Sequence, residues 1–418
     1  MSVENSRTNG VEKSPEISAV VLPLQGRVLA GIAVRKDGRI KVLSTSSVRS
    51  CEIDDGIPVD FPRFVEAIHE AIGIAVKKAD LAELFSLTVG LSGGPVMGLN
   101  SRGAVILGDK PRPVSSYDIA KAIGTSGKIE LPSDRCVLDV IPVSFAVDDK
   151  RRLENPEGLD GARLECESHV LTCRTETIEN LIRSVTKSGW KVEALLYDGW
   201  ANASTMMNEN EATMTTLVID VADRHSDAML LVRGKPKYTS IFPFGQRVLV
   251  GHIARECNVS FNTAEHIIDQ HAIIHTNNEF LLERGVEISF DAVEGFPAVS
   301  LTMGTIADIV GNDYREFINA IRKSLEARDL LGGIDAMIIG GYGAHVNGLV
   351  DLCRETFHAT VRQNKPDFAR GGGRDPLASR LYGLISQTFE RRSQGVLHQS
   401  ESEQTFLPKV MKWLGDLF

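Results

Sequence analysis

EISAVVLPLQGRVLAGIAVRKDGRIKVLS (residues 16–44) and TTLVIDVADRHSDAMLLVRGKPKYTSIFPFG (residues 215–245) follow the same pattern of apolar runs and turns. Each stretch predicts a strand, a short turn, a second strand, a hairpin and a third strand, with hairpins at residues 36–38 and near residues 234–236. FPRFVEAIHEAIGIAVKKA (residues 61–79) follows the first stretch with helical spacing. A unit that recurs so far along the chain predicts a duplicated α/β protein with two lobes. The alternative is a chance likeness between two common β-hairpin units.

The bulk composition excludes several classes of protein. The chain has 418 residues, of which 43% are hydrophobic, and a formal net charge of -9. This acidic total predicts no nucleic-acid partner. No run approaches the roughly 18 apolar residues of a transmembrane helix, and the polar N-terminus lacks the apolar core of a secretory signal. Six scattered cysteines without a CxxC pair indicate reduced thiols in a cytoplasm, and no pattern predicts a metal site.

Three further stretches resemble one known family. RCVLDVIPVSFAVDDKRRLENPEGLDGARLECESHVLTC (residues 135–173) is the most specific and is similar to the bacterial cell-division family FtsA, of the actin-like superfamily, where its inserted subdomain joins the next helix. IDAMIIGGYGAHVNGLVDLCRETFHATVR (residues 334–362) resembles the adenosine-binding unit of that family. DPLASRLYGLI (residues 375–385) resembles the helix that returns the chain to the first lobe. The resemblance covers roughly residues 17–418.

The resemblance implies a two-lobed actin-like fold, of the ribonuclease-H-like duplicated type, with an FtsA-type inserted subdomain. A disordered N-terminus is predicted at residues 1–15, a flexible linker at 391–405 and an amphipathic helix at 406–418. The remaining boundaries are subdomain 1A at 16–85, 168–212 and 377–390, inserted subdomain 1C at 86–167, subdomain 2A at 213–255 and 330–376, and subdomain 2B at 256–329.

An actin-type nucleotide site needs two turns whose backbone N–H groups face the phosphates, with glycines that allow close approach. The first turn, LPLQGR, keeps Gly26 but lacks the acidic, hydroxyl and lysine residues of the family. In the second turn, IDVADRHSD, Asp220 and Asp227 stand at matching positions. Residues 222–224 replace the expected glycines, and a histidine replaces the expected hydroxyl. The resemblance places Gly245, Gly340 and Gly341 at the turns that contact adenosine.

Two interpretations of this cleft remain open. In the first, Arg224 reaches the phosphates of ATP and replaces the missing backbone donors. In the second, the cleft is a degenerate site that acts as a structural hinge. Asp223 would repel a polyphosphate in either case. We expect ATP and magnesium to bind weakly or not at all, and no enzyme activity beyond a weak ATPase, because no residue pair is evident for positioning an attacking water.

A partner groove is predicted in LTMGTIADIVGNDYREF (residues 301–317), which resembles the family segment that receives the C-terminal peptide of the tubulin-like protein FtsZ. The candidate groove residues are Ile306, Tyr314, Arg315 and Arg322, of which the arginines would attract an acidic peptide. The alternative is that Ile306, Ile309 and Val310 form the buried face of a helix.

The stretch TFLPKVMKWLGDLF (residues 405–418) predicts an amphipathic helix. At 100° per residue its apolar side chains fall within an arc of about 160°. Lys409 and Lys412 lie on the opposite side and suit an anionic bilayer. The alternative is a helix that packs on its own domain, but a polar segment precedes it, and docking needs no long tether. The membrane-binding residues are then Lys409 and Lys412 with the apolar set Phe406, Leu407, Val410, Met411, Trp413, Leu414, Leu417 and Phe418.

The resemblance implies a non-enzymatic cell-division protein. Such a protein polymerises on the cytoplasmic face of the bacterial inner membrane at the division site, tethers FtsZ filaments there and recruits later division proteins. Two alternatives remain open, an actin-fold scaffold of another membrane machine, such as PilM of the type IV pilus, and an ATPase or sugar-kinase-like enzyme.

Overall fold

The computed structural model describes residues 16–54, 56–82, 84, 86–94, 96–148, 150–274, 284–291, 296–364 and 376–393. The predicted disordered N-terminus and amphipathic tail, and all but the first residues of the predicted linker, lie outside this part of the chain. No helix of the described part is both long and apolar enough to cross a membrane.

The first lobe begins with the predicted strand–turn–strand–hairpin–strand unit. A helix follows whose buried face contains Phe64, Ile68, Ala71 and Ile72, as the spacing predicts, and Asp60 caps its first turn by accepting a hydrogen bond from the Arg63 amide. The elements are β1 (Glu16–Leu24), β2 (Arg27–Lys36), β3 (Arg39–Arg49), β4 (Ile53–Asp54), β5 (Ile57–Pro58), α1 (Phe61–Lys78) and β6 (Leu87–Leu91).

A separate four-stranded sheet is inserted after β6. Its strand order is β10-β9-β12-β7, and helix α2 packs on it. The predicted boundary at residue 86 falls one strand too early, because β6 pairs in parallel with β1 and belongs to the first-lobe sheet. The inserted elements are β7 (Met97–Ile106), β8 (Arg112–Pro113), α2 (Ser116–Ser126), β9 (Arg135–Val147), β10 (Lys150–Leu153), β11 (Asp160–Gly161) and β12 (Arg163–Arg174).

The chain then completes the first lobe and builds the second. Helix α3 (Thr175–Lys187) and strand β13 (Val192–Tyr197) return to the first sheet, and α4 (Asp198–Met206) leads out of it. The second lobe contains β14 (Thr215–Val221), β15 (Ser226–Val232), β16 (Lys235–Phe242), α5 (Gln246–Glu256), α6 (Phe261–His271), β17 (Glu287–Phe290), β18 (Val299–Thr302), α7 (Met303–Glu326), β19 (Ala336–Gly340), α8 (Leu349–Phe357) and β20 (Thr360–Gln363).

The two lobes share one sheet topology. The first sheet has the order β3-β2-β1-β6-β13 and the second has the order β16-β15-β14-β19-β20. In each, three antiparallel strands precede two strands that run parallel to the first. The predicted duplication and the two-lobed actin-like fold are therefore confirmed.

The last described helix, α9 (Pro376–Ser393), returns to the first lobe. Its apolar face, which includes Leu381, Leu384 and Phe389, packs against Val20 and Leu22 of the first sheet. The helix also enters the region where a linker was predicted from residue 391. Two of its arginines bind carboxylates there, Arg391 binding Asp139 and Arg392 binding Glu193. Because residues 391–393 are helical and two of them are ion-paired, the prediction of a flexible linker is wrong for these three residues.

Candidate functional site in the cleft between the lobes

The strand ends of the second lobe bring three predicted site residues together. Asp220, at the end of β14, is the register partner of Gly340 on the parallel strand β19. Gly341 follows with a φ of 90°, and a Cβ there would lie 2.4 Å from the Asp220 Oδ1 atom. Only glycine fits this backbone and this space. The ends of β6 and β13 in the first lobe contribute Ser92 and Asp198 to the same cleft.

Arg380 on α9 lies at the centre of the cleft and is only 4% exposed. Its Nη1 atom donates hydrogen bonds to Asp198 Oδ2 at 2.5 Å and to Ser92 Oγ at 3.1 Å, both in the first lobe. Its Nη2 atom donates to Asp220 Oδ2 at 2.6 Å and lies 3.6 Å from Asp227 Oδ2, both in the second lobe. One guanidinium therefore bridges the two lobes.

Two neutral side chains donate further hydrogen bonds to the aspartates around Arg380. The Tyr197 hydroxyl donates to Asp227 Oδ1 at 2.5 Å, and the Asn202 amide donates to Asp220 Oδ2 at 2.6 Å. One carboxylate oxygen on each of the three aspartates is buried without a hydrogen bond from any described residue. The cluster is thus rich in negative charge and short of donors.

Negative charges outnumber positive charges in the cluster, because three carboxylates surround one guanidinium. Burial raises the pKa values of Asp198 and Asp227 to about 6, although Arg380 acts in the opposite direction. Burial would lower the pKa of Arg380, but the attraction of Asp220, Asp198 and Asp227 outweighs it and the net shift is upward. The guanidinium therefore stays charged, while Asp198 and Asp227 take up protons in mildly acidic solution.

The second phosphate turn is filled by protein. The His225 ring lies against Gly93 of the first lobe so closely that a Cβ there would be 2.3 Å from it. Burial, followed by the charge of Arg380, lowers the pKa of His225, so the imidazole is neutral at pH 7. The carbonyls of the turn are also occupied, because Ala222 and Asp223 accept hydrogen bonds from the first amides of α5 at 3.0 and 2.7 Å. Gly245 caps that helix, where a Cβ would lie 2.4 Å from the Asp223 carbonyl oxygen.

Arg224 points away from the position predicted for it. Its Nη2 atom donates to Glu52 Oε2 of the first lobe at 2.8 Å, and Arg247 lies 3.8 Å from the same carboxylate. The arginine therefore ties the lobes together at the surface and does not serve as a phosphate donor in this arrangement. Gly26 occupies the β1–β2 turn with a φ of 68°, and a Cβ there would meet nothing within 4 Å.

The residues present do not fit ATP and magnesium. The recess beside Asp220 and Gly341 has room for only about one water molecule. Met206 covers Gly340, since a Cβ on that glycine would be 2.5 Å from the Met206 Cε atom. Unpaired carboxylates would repel phosphates. No group of three His, Cys, Asp or Glu side chains in the described chain could hold a metal ion.

Two predicted groove residues lie in the protein interior. Ile306 and Tyr314 are fully buried in the second-lobe core, and the Tyr314 hydroxyl donates to the Gly343 carbonyl at 2.6 Å. They cannot line an open groove, so the interpretation of a buried helix face holds for this part of α7. Arg315 is half-buried and donates to Asn312 Oδ1, while Arg322 is exposed. These two arginines stay candidates for binding an acidic peptide.

Sequence reasoning missed the central residue of the cleft. Arg380 lies within DPLASRLYGLI, next to apolar positions that pack on the first sheet. A single arginine in an apolar helical stretch is a signal for a buried ion pair. Its partner Asp198 gave no local signal, since it follows β13 as an ordinary first residue of a helix.

Comparison with known proteins agrees with this architecture. The SHS2 domain inserted in FtsA matches residues 93–172. The cell division protein FtsA of Borreliella burgdorferi is 28% identical over 347 residues, covering 81% of this chain and 83% of the relative. FtsA of Escherichia coli strain K12 is 25% identical over 412 residues, covering 95% and 94%. Among solved structures, the PilM-PilN type IV pilus biogenesis complex matches with a TM-score of 0.58 and 14% identity, covering 88% of this chain and 98% of that chain.

Two lobes of one topology around a common cleft define an actin-like protein, and the structural match to the PilM complex supports this fold alone. The inserted SHS2 domain and the similarity to FtsA along most of the chain narrow the class further. The chain is similar to cell division proteins named FtsA along most of its length, as the resemblance in its sequence predicted.

Proposed function

We propose that this protein is a self-assembling scaffold of the division site, that it attaches FtsZ to the inner membrane, and that it does not hydrolyse ATP. The observation that carries the proposal is the bridge that Arg380 forms between Asp198 and Asp220. An ATPase of this fold needs its cleft for phosphates and metal. The aspartates at these strand ends are instead bound to a side chain of the protein, which supports a cleft held closed without a ligand.

The membrane part of the proposal rests on the sequence of residues 405–418. One short amphipathic helix binds a bilayer weakly, but many such helices on one assembly bind through effective concentration. Attachment to the cytoplasmic face of the inner membrane would therefore follow self-assembly. FtsZ binding rests on the family likeness and on Arg315 and Arg322, which would attract an acidic peptide. The recruitment of later division proteins follows from the same likeness.

A thermal-shift experiment and a turnover assay test the nucleotide part of this function. ATP with magnesium should leave the melting temperature of the full chain unchanged, because the phosphate region is filled by Arg380 and His225. Phosphate release should equal that of a protein-free control. A magnesium-dependent stabilisation by ATP, or a measurable turnover, would show that the cleft opens to nucleotide.

Vesicle co-sedimentation tests the membrane part. We expect Trp413→Asp to abolish pelleting of the full chain with anionic vesicles, as a chain ending at Gln404 also should. Gly415→Asp is the matched control, because it adds the same charge to the predicted polar side of the same helix and should retain binding. Equal pelleting of the Trp413→Asp variant, the shortened chain and the unmodified chain would contradict membrane attachment through this tail.

Peptide binding tests the partner. Arg322→Glu should weaken the binding of a labelled FtsZ C-terminal peptide by about tenfold, as expected when an attractive charge becomes repulsive at an interface. Lys323→Glu changes the charge equally at the next position, about 100° around the helix, and should have little effect. Equal weakening by both variants would argue for a general charge effect and against a specific groove.

A further inference from the structure

The C-terminal turn of α1 lies over the first half of β3. Ser44 Oγ donates to the Ala75 carbonyl at 2.6 Å, and Lys78 Nζ donates to the Thr45 carbonyl at 3.3 Å. This places the end of the helix beside the β2–β3 hairpin. Four exposed basic residues therefore share one region of the first lobe, which we call the basic corner: Arg39, Lys41, Lys77 and Lys78.

The basic corner carries uncompensated positive charge on an acidic protein. None of its four side chains pairs with a carboxylate among the residues that the structure describes. The nearby acidic residues are Asp37 in the hairpin, Asp80 after α1, and Glu16, whose carboxylate is held by Arg35 at 2.5 Å. The formal net charge of the whole chain is -9, so the charge of this surface has the opposite sign to that of the whole protein.

The chain leaves the described body at the hairpin end of the same sheet, although α9 and α1 pack on opposite faces of that sheet. Arg35, next to the hairpin on β2, donates to the Phe389 carbonyl at 3.0 Å and to Ser393 Oγ at 2.8 Å. Arg392 donates to the Ile17 carbonyl at 2.6 Å. The last turn of α9 is thus fixed next to the hairpin. Twelve residues separate Ser393 from Phe406, and any flexible chain of that length has a root-mean-square span of about 20 Å.

We infer that the basic corner makes a second, direct contact with an anionic phospholipid surface. The inference rests on the proposed membrane attachment, because the tail would hold a bilayer near Ser393, at the hairpin end of the first-lobe sheet. Lysine and arginine near an anionic bilayer each strengthen binding by about fivefold, over a range set by a Debye length of about 8–10 Å. The contact turns the hairpin end of the first lobe toward the membrane.

Vesicle binding by the full chain tests this inference. The variant is Arg39→Glu with Lys41→Glu, and the control is Arg27→Glu with Arg49→Glu. The control residues are exposed register partners at the opposite end of the same two strands, about 30 Å away. With vesicles of phosphatidylcholine and phosphatidylglycerol, the corner variant should bind about tenfold or more weakly, and the control should bind nearly as the unmodified chain does. Arg39→Gln with Lys41→Gln should be intermediate.

The outcomes separate the inference from the function on which it rests. Equal affinities of the corner variant and the control would overturn the basic corner as a lipid contact. A chain ending at Gln404 that binds as well as the full chain would contradict attachment through the tail, whatever the corner does. The melting temperatures of both double variants are measured, and the glutamine variant replaces the glutamate variant if the latter is unfolded. Loss of binding that persists with pure phosphatidylcholine vesicles would also contradict an electrostatic contact.

Discussion

The Nη1 atom of Arg380 and the Oδ2 atom of Asp198 lie 2.5 Å apart, with both side chains buried. They join the last described helix to the helix that leaves the first-lobe sheet. The same guanidinium also binds Asp220 of the second lobe at 2.6 Å, so one buried side chain holds carboxylates of both lobes.

Arg380→Met should lower the free energy of unfolding by about 3–5 kcal/mol, because it leaves buried carboxylates without their cation. Urea denaturation at pH 7.5 measures the effect. Arg354→Met is the control, since Arg354 forms an exposed pair with Asp351 within α8 and such pairs contribute less than about 1 kcal/mol. A loss as small as that of the control would mean that Arg380 is not required to hold the lobes together.

Asp227→Asn should stabilise the protein above pH 7 and have little effect near pH 4. Burial raises the pKa of Asp227 to about 6, so its ionisation weakens folding as the pH rises from about 4 to 6. One pKa unit corresponds to about 1.4 kcal/mol, so the substitution should raise the free energy of unfolding at pH 8 by about 1–3 kcal/mol. Asp220→Asn should destabilise instead, because Asp220 accepts hydrogen bonds from Arg380 and Asn202. Urea titrations at several pH values would reject this account if both variants were destabilised alike.

His169→Gln should reduce the loss of stability in acid. The His169 ring joins Asn100 of the inserted sheet and Thr239 of the second lobe by contacts of 2.8 and 2.9 Å. Burial, followed by the charge of Lys237, lowers the pKa of His169 to about 4, so the unfolded chain takes up a proton first as the pH falls. The free energy of unfolding should therefore fall by about 3 kcal/mol as the pH drops from about 6.5 to 4. Urea titrations of the variant and the unmodified chain measure the effect, and an equal loss of stability in acid for both would argue against His169.

Gly341→Ala should destabilise the protein by about 1–3 kcal/mol, through its positive φ and the close approach of Asp220. Gly332→Ala is the control, because a Cβ there would meet nothing within 4 Å and its φ is not in the left-handed range. Thermal melting of both variants measures the difference. Melting temperatures that agree within about 2 °C would show that the backbone beside Asp220 is free to adjust.

Local patterns predicted the parts of the fold that local physics decides. The repeated strand units and both hairpins follow from apolar runs and turn residues, and Asp37 and Gly38 have the positive φ values that such a turn needs. The edges of the inserted sheet were harder to locate, because β6 and β7 are both strands and only their pairing separates them. The interior position of Tyr314 was missed because its helix is long and its contacts, with Phe244 and Gly343, are far away along the chain.

The candidate site was less predictable than the fold. The sequence indicated damage to the phosphate turns, and the filled cleft is consistent with that expectation. It did not indicate what fills the space, since Arg380 is separated from Asp220 by 160 residues and from Asp198 by 182. Two residues so far apart in the sequence form no motif, so their buried ion pair cannot be recognised from the sequence alone.

Helix α9 is also a mechanical element. It has 18 residues and is therefore about 27 Å long, with Arg380 near one end and Ser393 at the other. A pull on the segment after Ser393 reaches Arg391 and Arg392 first, and their bonds to Asp139 and Glu193 pass the load to the inserted sheet and to the first-lobe sheet. The helix is therefore anchored at the end that would be pulled, and these ion pairs would bear the tension before it reached Arg380 and the cleft.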